Sequence, residues 1–189
     1  MSEAAPAAPV SIEDYLARER GAEGGARHQL WDGEVFPMVA ASVAHERIVR
    51  NVLVRLVEQL AGRPCEPFGS NLRIRIPARA RYVYPDVSVA CDPRFEDDEA
   101  DALLNPSVVV EVLSPSTERF DRGDKFAGYR SIPSLADYVL IAQAERSVDH
   151  FARLPDGTWR LEPLAGEGRV VLRGVDAALD LDEIYEGVR

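Results

Sequence analysis

Three residues of types that support metal-dependent hydrolysis are Asp86, Glu111 and Lys125. Each of the two acids interrupts an apolar strand pattern, where an ionised carboxylate is costly unless it is paired or bound to a cation. If the two strands are neighbours, both carboxylates project toward a shared point. Two carboxylates with backbone oxygens and water suit a hard divalent ion such as Mg²⁺. The two acids are therefore a candidate metal site.

The amine comes from the only lysine of the chain, since the other 21 of its 22 basic residues are arginine. Lys125 follows Glu111 by 14 residues, beyond a Ser-Pro-Ser turn and on a predicted helix. The turn and about two helical turns bring the amine back over the end of the strand. An amine there would orient and help deprotonate a metal-bound water, or neutralise charge on a phosphorane-like transition state.

Each of these residues also has a structural interpretation, which the sequence leaves open. Asp86 follows a proline and suits a turn cap. Glu111 suits a buried ion pair with a neighbouring arginine. Lys125 stands four residues after Asp121, which is the spacing of an ordinary surface pair on a helix.

The elements that must position these residues are predicted from hydrophobic periodicity, capping residues and turn signals. Helices are predicted from Ser11 and over 43–61, 117–132 and 182–187. Strands are predicted over 28–31, 34–39, 72–76, 82–90, 107–113, 137–142, 148–154 and 158–164. The strand over 107–113 is nearly all apolar and is expected to be central and covered on both faces. The order predicts an α/β fold with a mixed central sheet flanked by helices, in one domain over 11–189 after a flexible tail over 1–10.

Composition limits the classes of function. The net charge of −10 argues against non-specific binding to nucleic acid or anionic membranes, although a local basic groove or a metal-mediated site remains compatible with it. The absence of a long apolar run or a secretory signal predicts a cytoplasmic protein without a membrane span.

Cys65 and Cys91 are expected to stay reduced, and the acidic loop over 95–101 is expected to be solvated.

Nearly the whole chain after the tail resembles the PD-(D/E)XK nuclease superfamily and, within it, the Uma family of restriction-endonuclease-like proteins. The segments that carry the resemblance are RHQLWDGEVFPM, SVAHERIVRNVL, FGSNLRIRIP, YVYPDVSVA, VVVEVLSPSTERFDRGDKFAGYRSIPSLADYVLIA and LDEIYEGV.

The resemblance implies a restriction-endonuclease-like core and hydrolysis of phosphodiester bonds in DNA with Mg²⁺ (or Mn²⁺), bound by Asp86 and Glu111. The superfamily usually places a lysine two residues after the second acid, where this chain has Leu113. Lys125 would then be a lysine that has migrated to the following helix. Glu34 matches an acid that sometimes completes the metal site, and His45 matches a histidine of the family pattern. Alternatively, Glu34 is a solvated residue after a turn and His45 a helix-surface or capping residue.

Other candidate residues surround this proposed centre. Tyr129, one helical turn beyond Lys125, is expected to pack against the site or to hydrogen-bond to it. Candidate nucleic-acid contacts are four arginines, Arg73, Arg75, Arg79 and Arg81. They would neutralise phosphates, although edge-strand protection and solubility also explain them.

The leading hypothesis is a Mg²⁺-dependent DNA endonuclease that acts as a homodimer, because cutting both strands of a duplex calls for two sites. The alternative is a catalytically inactive nuclease-fold protein that binds nucleic acid or protein. A third hypothesis is a metal-dependent hydrolase of RNA or of another phosphate ester.

Overall fold

The fold is built on two mixed β-sheets, seen in a computed structural model that describes residues 8–22, 26–38, 40–77, 79–97, 99 and 101–188. The elements of these residues are, in chain order, α1 (Ile12–Arg20), β1 (His28–Trp31), β2 (Glu34–Pro37), α2 (Val43–Leu60), β3 (Cys65–Gly69), β4 (Arg73–Ile76), β5 (Arg81–Val83), β6 (Val87–Cys91), β7 (Ala102–Leu103), β8 (Val108–Leu113), α3 (Glu118–Phe120), a π-helical turn (Asp121–Lys125), α4 (Phe126–Tyr129), β9 (Asp137–Ala142), β10 (Ser147–Arg153), β11 (Trp159–Ala165), β12 (Arg169–Leu172), β13 (Ala177–Asp180) and α5 (Leu181–Ile184).

The larger sheet has six strands in the order β11-β10-β9-β8-β6-β3. Within it β8 and β9 run parallel, and the other neighbours are antiparallel. The second sheet has five strands in the order β2-β1-β5-β4-β7, and β12 and β13 form a separate pair. The predicted mixed sheet with flanking helices is confirmed.

Strand β8 is the centre of the larger sheet, and all six of its residues are buried. Val108, Val110 and Val112 join the core cluster that includes the buried stripe of α2. Val109 and Leu113 join the cluster that includes Phe126 and residues of the five-stranded sheet. Because its alternate residues pack in opposite directions, the strand is apolar almost throughout, as its sequence predicts.

Two strand predictions are wrong in their details. The segment over 82–90 is two strands in different sheets, β5 and β6, because Pro85 lacks the N–H that a continuous ladder needs. The alternation of apolar residues with Arg73 and Arg75 predicts a half-exposed strand over 72–76, but only 2% of Arg73 is accessible to solvent. Its guanidinium lies 5.8 Å from the ring centres of Tyr15 and Tyr82 and pairs with Asp101.

The strands predicted over 28–31 and 34–39 are β1 and β2, which form an antiparallel hairpin. Asp32 and Gly33 have φ values of 51° and 88°, as a tight two-residue turn requires. Val39, the predicted end of the second strand, lies outside the described residues. Residues 1–7 of the predicted tail lie outside them as well, whereas the backbone N–H of Val10 donates to Gly33 over 2.8 Å.

The acidic loop over 95–101 is not simply solvated where the structure describes it. Glu96 accepts hydrogen bonds from Tyr82 and Arg75, and Asp97 and Asp101 pair with arginines. These ion pairs attach the loop to the five-stranded sheet and to α1. Strands β12 and β13 are a further departure, because no strand is predicted over 169–180.

The expectation that both cysteines stay reduced is wrong in this structure. Cys65 and Cys91 are directly opposed in the β3–β6 ladder and form a disulfide. The register of two strands decides this pairing, and 26 residues separate the cysteines along the chain.

Among the helices that the structure describes, none is long and apolar enough to cross a bilayer.

The helical segment that carries Lys125 rests on the five-stranded sheet at Gly128. A Cβ atom added there would lie 2.9 Å from Trp31, 3.2 Å from Arg81 and 3.2 Å from Ile76. Trp31 also packs edge-on against Phe120 of the same segment, at 4.8 Å between ring centres. Glycine therefore permits the close approach of helix and sheet that sets the depth of Lys125.

We expect Gly128→Ala to lower the free energy of unfolding by about 1–3 kcal/mol, because the added methyl group overpacks this contact. Gly123→Ala is the matched control, since a Cβ there meets nothing within 4 Å. It should be neutral or stabilising by up to about 1 kcal/mol. Urea unfolding of both variants measures the difference, and equal effects would contradict the close contact at Gly128.

We expect reduction of the disulfide to destabilise the protein by about 3.5 kcal/mol, the entropic effect of releasing a loop of this length. Thermal unfolding with and without a reductant measures the loss. The double variant Cys65→Ser/Cys91→Ser should unfold like the reduced protein and be insensitive to reductant. A wild-type melting temperature that reductant leaves unchanged would be inconsistent with this disulfide.

Candidate active site

The two predicted carboxylates lie side by side because β6 pairs with β8. Val87 is opposite Val110, so Asp86, just before β6, lies next to Glu111 and Val112. The backbone N–H of Val112 donates to Oδ2 of Asp86 over 2.7 Å. Nε2 of His45, in the first turn of α2, lies 3.2 Å from the same oxygen. These two contacts leave Oδ1 of Asp86 without a protein hydrogen bond among the described residues.

Glu111 is buried inside the sheet and is paired with Lys125. Nζ of Lys125 lies 2.8 Å from Oε1 of Glu111, and the hydroxyl of Tyr129 donates to the same oxygen over 2.9 Å. Only 4% of each partner of the ion pair is accessible to solvent. Within the described part of the chain, Oε2 of Glu111 has no hydrogen-bond partner.

Lys125 reaches this depth from the π-helical turn. Asp121, Lys125 and Tyr129 are spaced four residues apart and face the same cluster. Oδ1 of Asp121 lies 3.3 Å from Nζ of Lys125, and the hydroxyl of Tyr138 donates to the Asp121 carbonyl oxygen over 2.9 Å. A π-turn inside a helix is uncommon and frequently lies at a functional site.

Burial and charge determine the protonation of the cluster. Burial raises the pKa of Glu111 to about 8 although the ammonium of Lys125 opposes the rise. Burial alone would lower the pKa of Lys125, but the carboxylates of Glu111 and Asp121 outweigh it and raise that pKa above the ordinary lysine value. Likewise, burial lowers and Asp86 raises the pKa of His45, with a net upward shift. Lys125 is therefore a cation near neutral pH.

The cluster opens into a cavity of about 530 Å³. Its charged lining has four carboxylates, from Glu46, Asp86, Glu111 and Asp121, against two cations, from Arg27 and Lys125. The connections on either side of the cavity, near Ala41 and Ser116, contribute further lining residues. With its acids ionised and His45 neutral, the interior is thus polar and net negative.

The donor set fits a hard divalent cation that keeps several waters. Asp86 and Glu111 each have one oxygen that the surrounding protein leaves unused, and carboxylate oxygens are the ligands that Mg²⁺ prefers. Among the described residues, no group of three His, Cys, Asp or Glu side chains is close enough to hold a metal ion. Water and main-chain oxygens would therefore have to complete the coordination.

The structure brings five of the predicted residues together, namely Asp86, Glu111, Lys125, His45 and Tyr129. Glu34 does not join them, since it is exposed beside the hairpin turn and lines neither described cavity. Arg75, Arg79 and Arg81 pair with Glu96 or Asp32 outside the cavity, and Arg73 is buried against Asp101.

Sequence reasoning missed three charged residues of the cavity, which are Arg27, Glu46 and Asp121. The spacing of Asp121 from Lys125 predicts an exposed surface pair, whereas only 3% of Asp121 is accessible to solvent. Its spacing from Lys125 and Tyr129 along one helix face was the available signal. Arg27 and Glu46 had no distinguishing local pattern.

The sheet, the flanking helices and the carboxylates at adjacent strands define a restriction-endonuclease-like fold. Residues 12–181 match the Uma2 family, described as "Putative restriction endonuclease", and the chain belongs to this family. The predicted fold and family are thereby confirmed.

Two cyanobacterial proteins of Synechocystis sp. are similar over most of their length. Protein slr1290 is 36% identical over 188 residues, which cover 99% of this chain and 97% of the relative. Protein sll1609 is 38% identical over 159 residues, which cover 84% and 89% respectively.

A solved structure shares the fold at low sequence identity. The crystal structure of a protein from Anabaena variabilis, described as a "putative nuclease belonging to DUF820", superposes with a TM-score of 0.75 and 14% identity. The match covers 96% of this chain and 100% of that one. The arrangement of helices and strands is therefore common to the two proteins.

The single lysine allows a direct measurement of its protonation. With lysine labelled at Cε and no divalent metal present, we expect one NMR signal whose titration midpoint lies above about 10.4, the ordinary lysine value. Glu111→Gln should lower the midpoint, because burial lowers the pKa of the ammonium and the negative charge of Glu111 no longer opposes this effect. Glu34→Gln is the control and should leave it unchanged. A wild-type midpoint below the ordinary value would contradict the buried ion pair.

Proposed function

We propose that this protein is a divalent-metal-dependent endonuclease that hydrolyses phosphodiester bonds in DNA. The observation that supports the proposal most strongly is the convergence of Asp86, Glu111 and Lys125 on one polar cavity. Each carboxylate there has one unused oxygen, and the ammonium lies 2.8 Å from Glu111. The family to which the chain belongs supports the same class of reaction.

Asp86 and Glu111 would hold the Mg²⁺ or Mn²⁺ ion through Oδ1 and Oε2. The ion would supply a Lewis acid and lower the pKa of a bound water. Four carboxylates against two cations repel a phosphodiester anion, so the charge of the cavity itself favours a dependence on divalent cations.

The protein's own residues have separate roles in this proposal. The raised pKa of Lys125 keeps it protonated, so it acts as a fixed positive charge on the pentacoordinate phosphate and not as a base. Tyr129 and Asp121 orient the ammonium and Glu111. His45 holds Asp86 and is the candidate to carry a proton, because it lines the cavity.

A second candidate is a non-catalytic nuclease-fold protein that binds nucleic acid or protein. It is favoured by one observation, that the Lys125 ammonium pairs with both buried carboxylates, those of Glu111 and Asp121. Such a network would stabilise the fold and need no substrate.

Homodimer formation belongs to the first proposal, because two sites are needed to cut both strands of a duplex.

We expect the purified protein to cleave plasmid or oligonucleotide DNA in Mg²⁺ or Mn²⁺ and not in a chelator. Asp86→Asn and Glu111→Gln should each lower the rate by roughly 100-fold or more, because each removes a charge from the proposed metal site. Glu34→Ala is the matched control, since it removes an acid that lies outside the cavity, and it should leave the rate unchanged.

Lys125→Met separates catalysis from metal binding. Loss of the ammonium should lower cleavage by roughly 100-fold while calorimetry still detects Mn²⁺ uptake, because Asp86 and Glu111 both remain and the divalent cation compensates the charge of Glu111. Asp86→Asn should lose both properties. Wild-type protein that neither takes up Mn²⁺ nor cleaves any form of DNA would contradict catalysis and favour the non-catalytic candidate.

A further inference from the structure

A second cavity adjoins the proposed active site. Its volume is about 540 Å³, and it shares two lining residues with the first cavity, Arg27 and Tyr84. Tyr84 immediately precedes Pro85 and Asp86, on the connection from β5 to β6. The two cavities thus meet at Arg27 and Tyr84.

Arg27 is held in place by the backbone around it. The Met38 N–H donates to the carbonyl oxygen of Arg27 over 2.9 Å, which fixes the residue at the open end of the β1–β2 hairpin. Nη1 of Arg27 donates to the Ser70 carbonyl oxygen over 2.6 Å and also to Oδ1 of Asn71. Its guanidinium carbon lies 5.9 Å from the centre of the Tyr84 ring. The side chain is therefore oriented before any ligand arrives.

Arg27 differs from the other cations of the two cavities in its partners. Lys125 pairs with Glu111 and Asp121, whereas Arg20 and Arg73 both pair with Asp101. Among the described residues, no carboxylate lies within ion-pair distance of Arg27. Its remaining guanidinium donors are thus available to an anion.

The carboxylates of the second cavity are already occupied. Glu19 accepts hydrogen bonds from the His28 backbone N–H and the Tyr84 hydroxyl, both over 2.9 Å. Asp101 is neutralised by its two arginines. The second cavity is therefore less repulsive toward a phosphate than the first, in which carboxylates outnumber cations.

We propose that Arg27 binds a backbone phosphate of the substrate strand next to the phosphate that is cleaved. The strand would run from the carboxylates past Arg27 and Tyr84 into the second cavity. This assignment rests on the proposed nuclease function, and it names the residue that positions the strand. A guanidinium held by main-chain and amide oxygens is well suited to this role, because it binds phosphate oxygens without reorganisation.

The test measures binding of a labelled single-stranded DNA oligonucleotide by fluorescence anisotropy, in Ca²⁺ and between about 50 and 200 mM salt. Arg27→Gln keeps a donor for the Ser70 carbonyl but removes the charge. We expect it to weaken binding about tenfold or more and to reduce the slope of log K against log salt by about 0.7, the value for one lost phosphate contact on a single strand.

Two further variants exclude a purely structural role. Arg27→Lys keeps the charge and should recover most of the salt dependence. Arg47→Gln is the matched control, because Arg47 also donates to a single main-chain carbonyl, at 3.1 Å, and lines neither cavity. It should bind like the wild type. Arg27→Gln that binds like Arg47→Gln, or wild-type protein that does not bind the strand, would overturn the assignment.

A parallel cleavage assay in Mn²⁺ keeps this proposal distinct from the proposed function. If the wild type cleaves DNA and Arg27→Gln has the same KM and kcat, only the role of Arg27 is refuted, and the nuclease proposal stands. An absence of cleavage, together with binding that depends on Arg27, would refute the nuclease proposal and leave the strand-binding assignment standing.

Discussion

The constraint on which the structure depends is a carboxylate in the middle of a fully buried strand. The cost of removing the Glu111 carboxylate from water is opposed by Lys125 and Tyr129, which both bind its Oε1 atom. An unpaired charge at this depth would cost several kcal/mol. Pairing consumes only one of its two oxygens, and the other remains directed to a polar cavity. The same group is thus stabilised by the fold and left available for chemistry.

The rest of the fold holds the partners of Glu111 at fixed positions. The β6–β8 ladder places Asp86 beside it, and the Val112 N–H fixes the Asp86 carboxylate. The π-helical turn and the glycine contact with Trp31 place Lys125 at the correct depth from the other side. Two sheets are needed because one supplies the carboxylates and the other supports the helix that carries the amine.

Local sequence patterns predicted the features that depend on residues close together in the sequence. The order and hydrophobic periodicity of the elements predicted the α/β fold. The apolar run around Glu111 and the lone lysine led to the prediction that Asp86, Glu111 and Lys125 lie close together. Long-range pairing decided the rest. The disulfide depends on the β3–β6 register, and the burial of Arg73 depends on α1 and Asp101, which are distant in sequence.

The central claim is that Asp86 and Glu111 form a metal site beside the Lys125 ammonium. The most direct measurement is a crystal structure of the protein with Mn²⁺, recorded at a wavelength where manganese scatters anomalously. The account predicts an anomalous peak about 2.1 Å from Oδ1 of Asp86 and Oε2 of Glu111, with Lys125 still bound to Oε1. Saturating Mn²⁺ without a peak between these two carboxylates would contradict it.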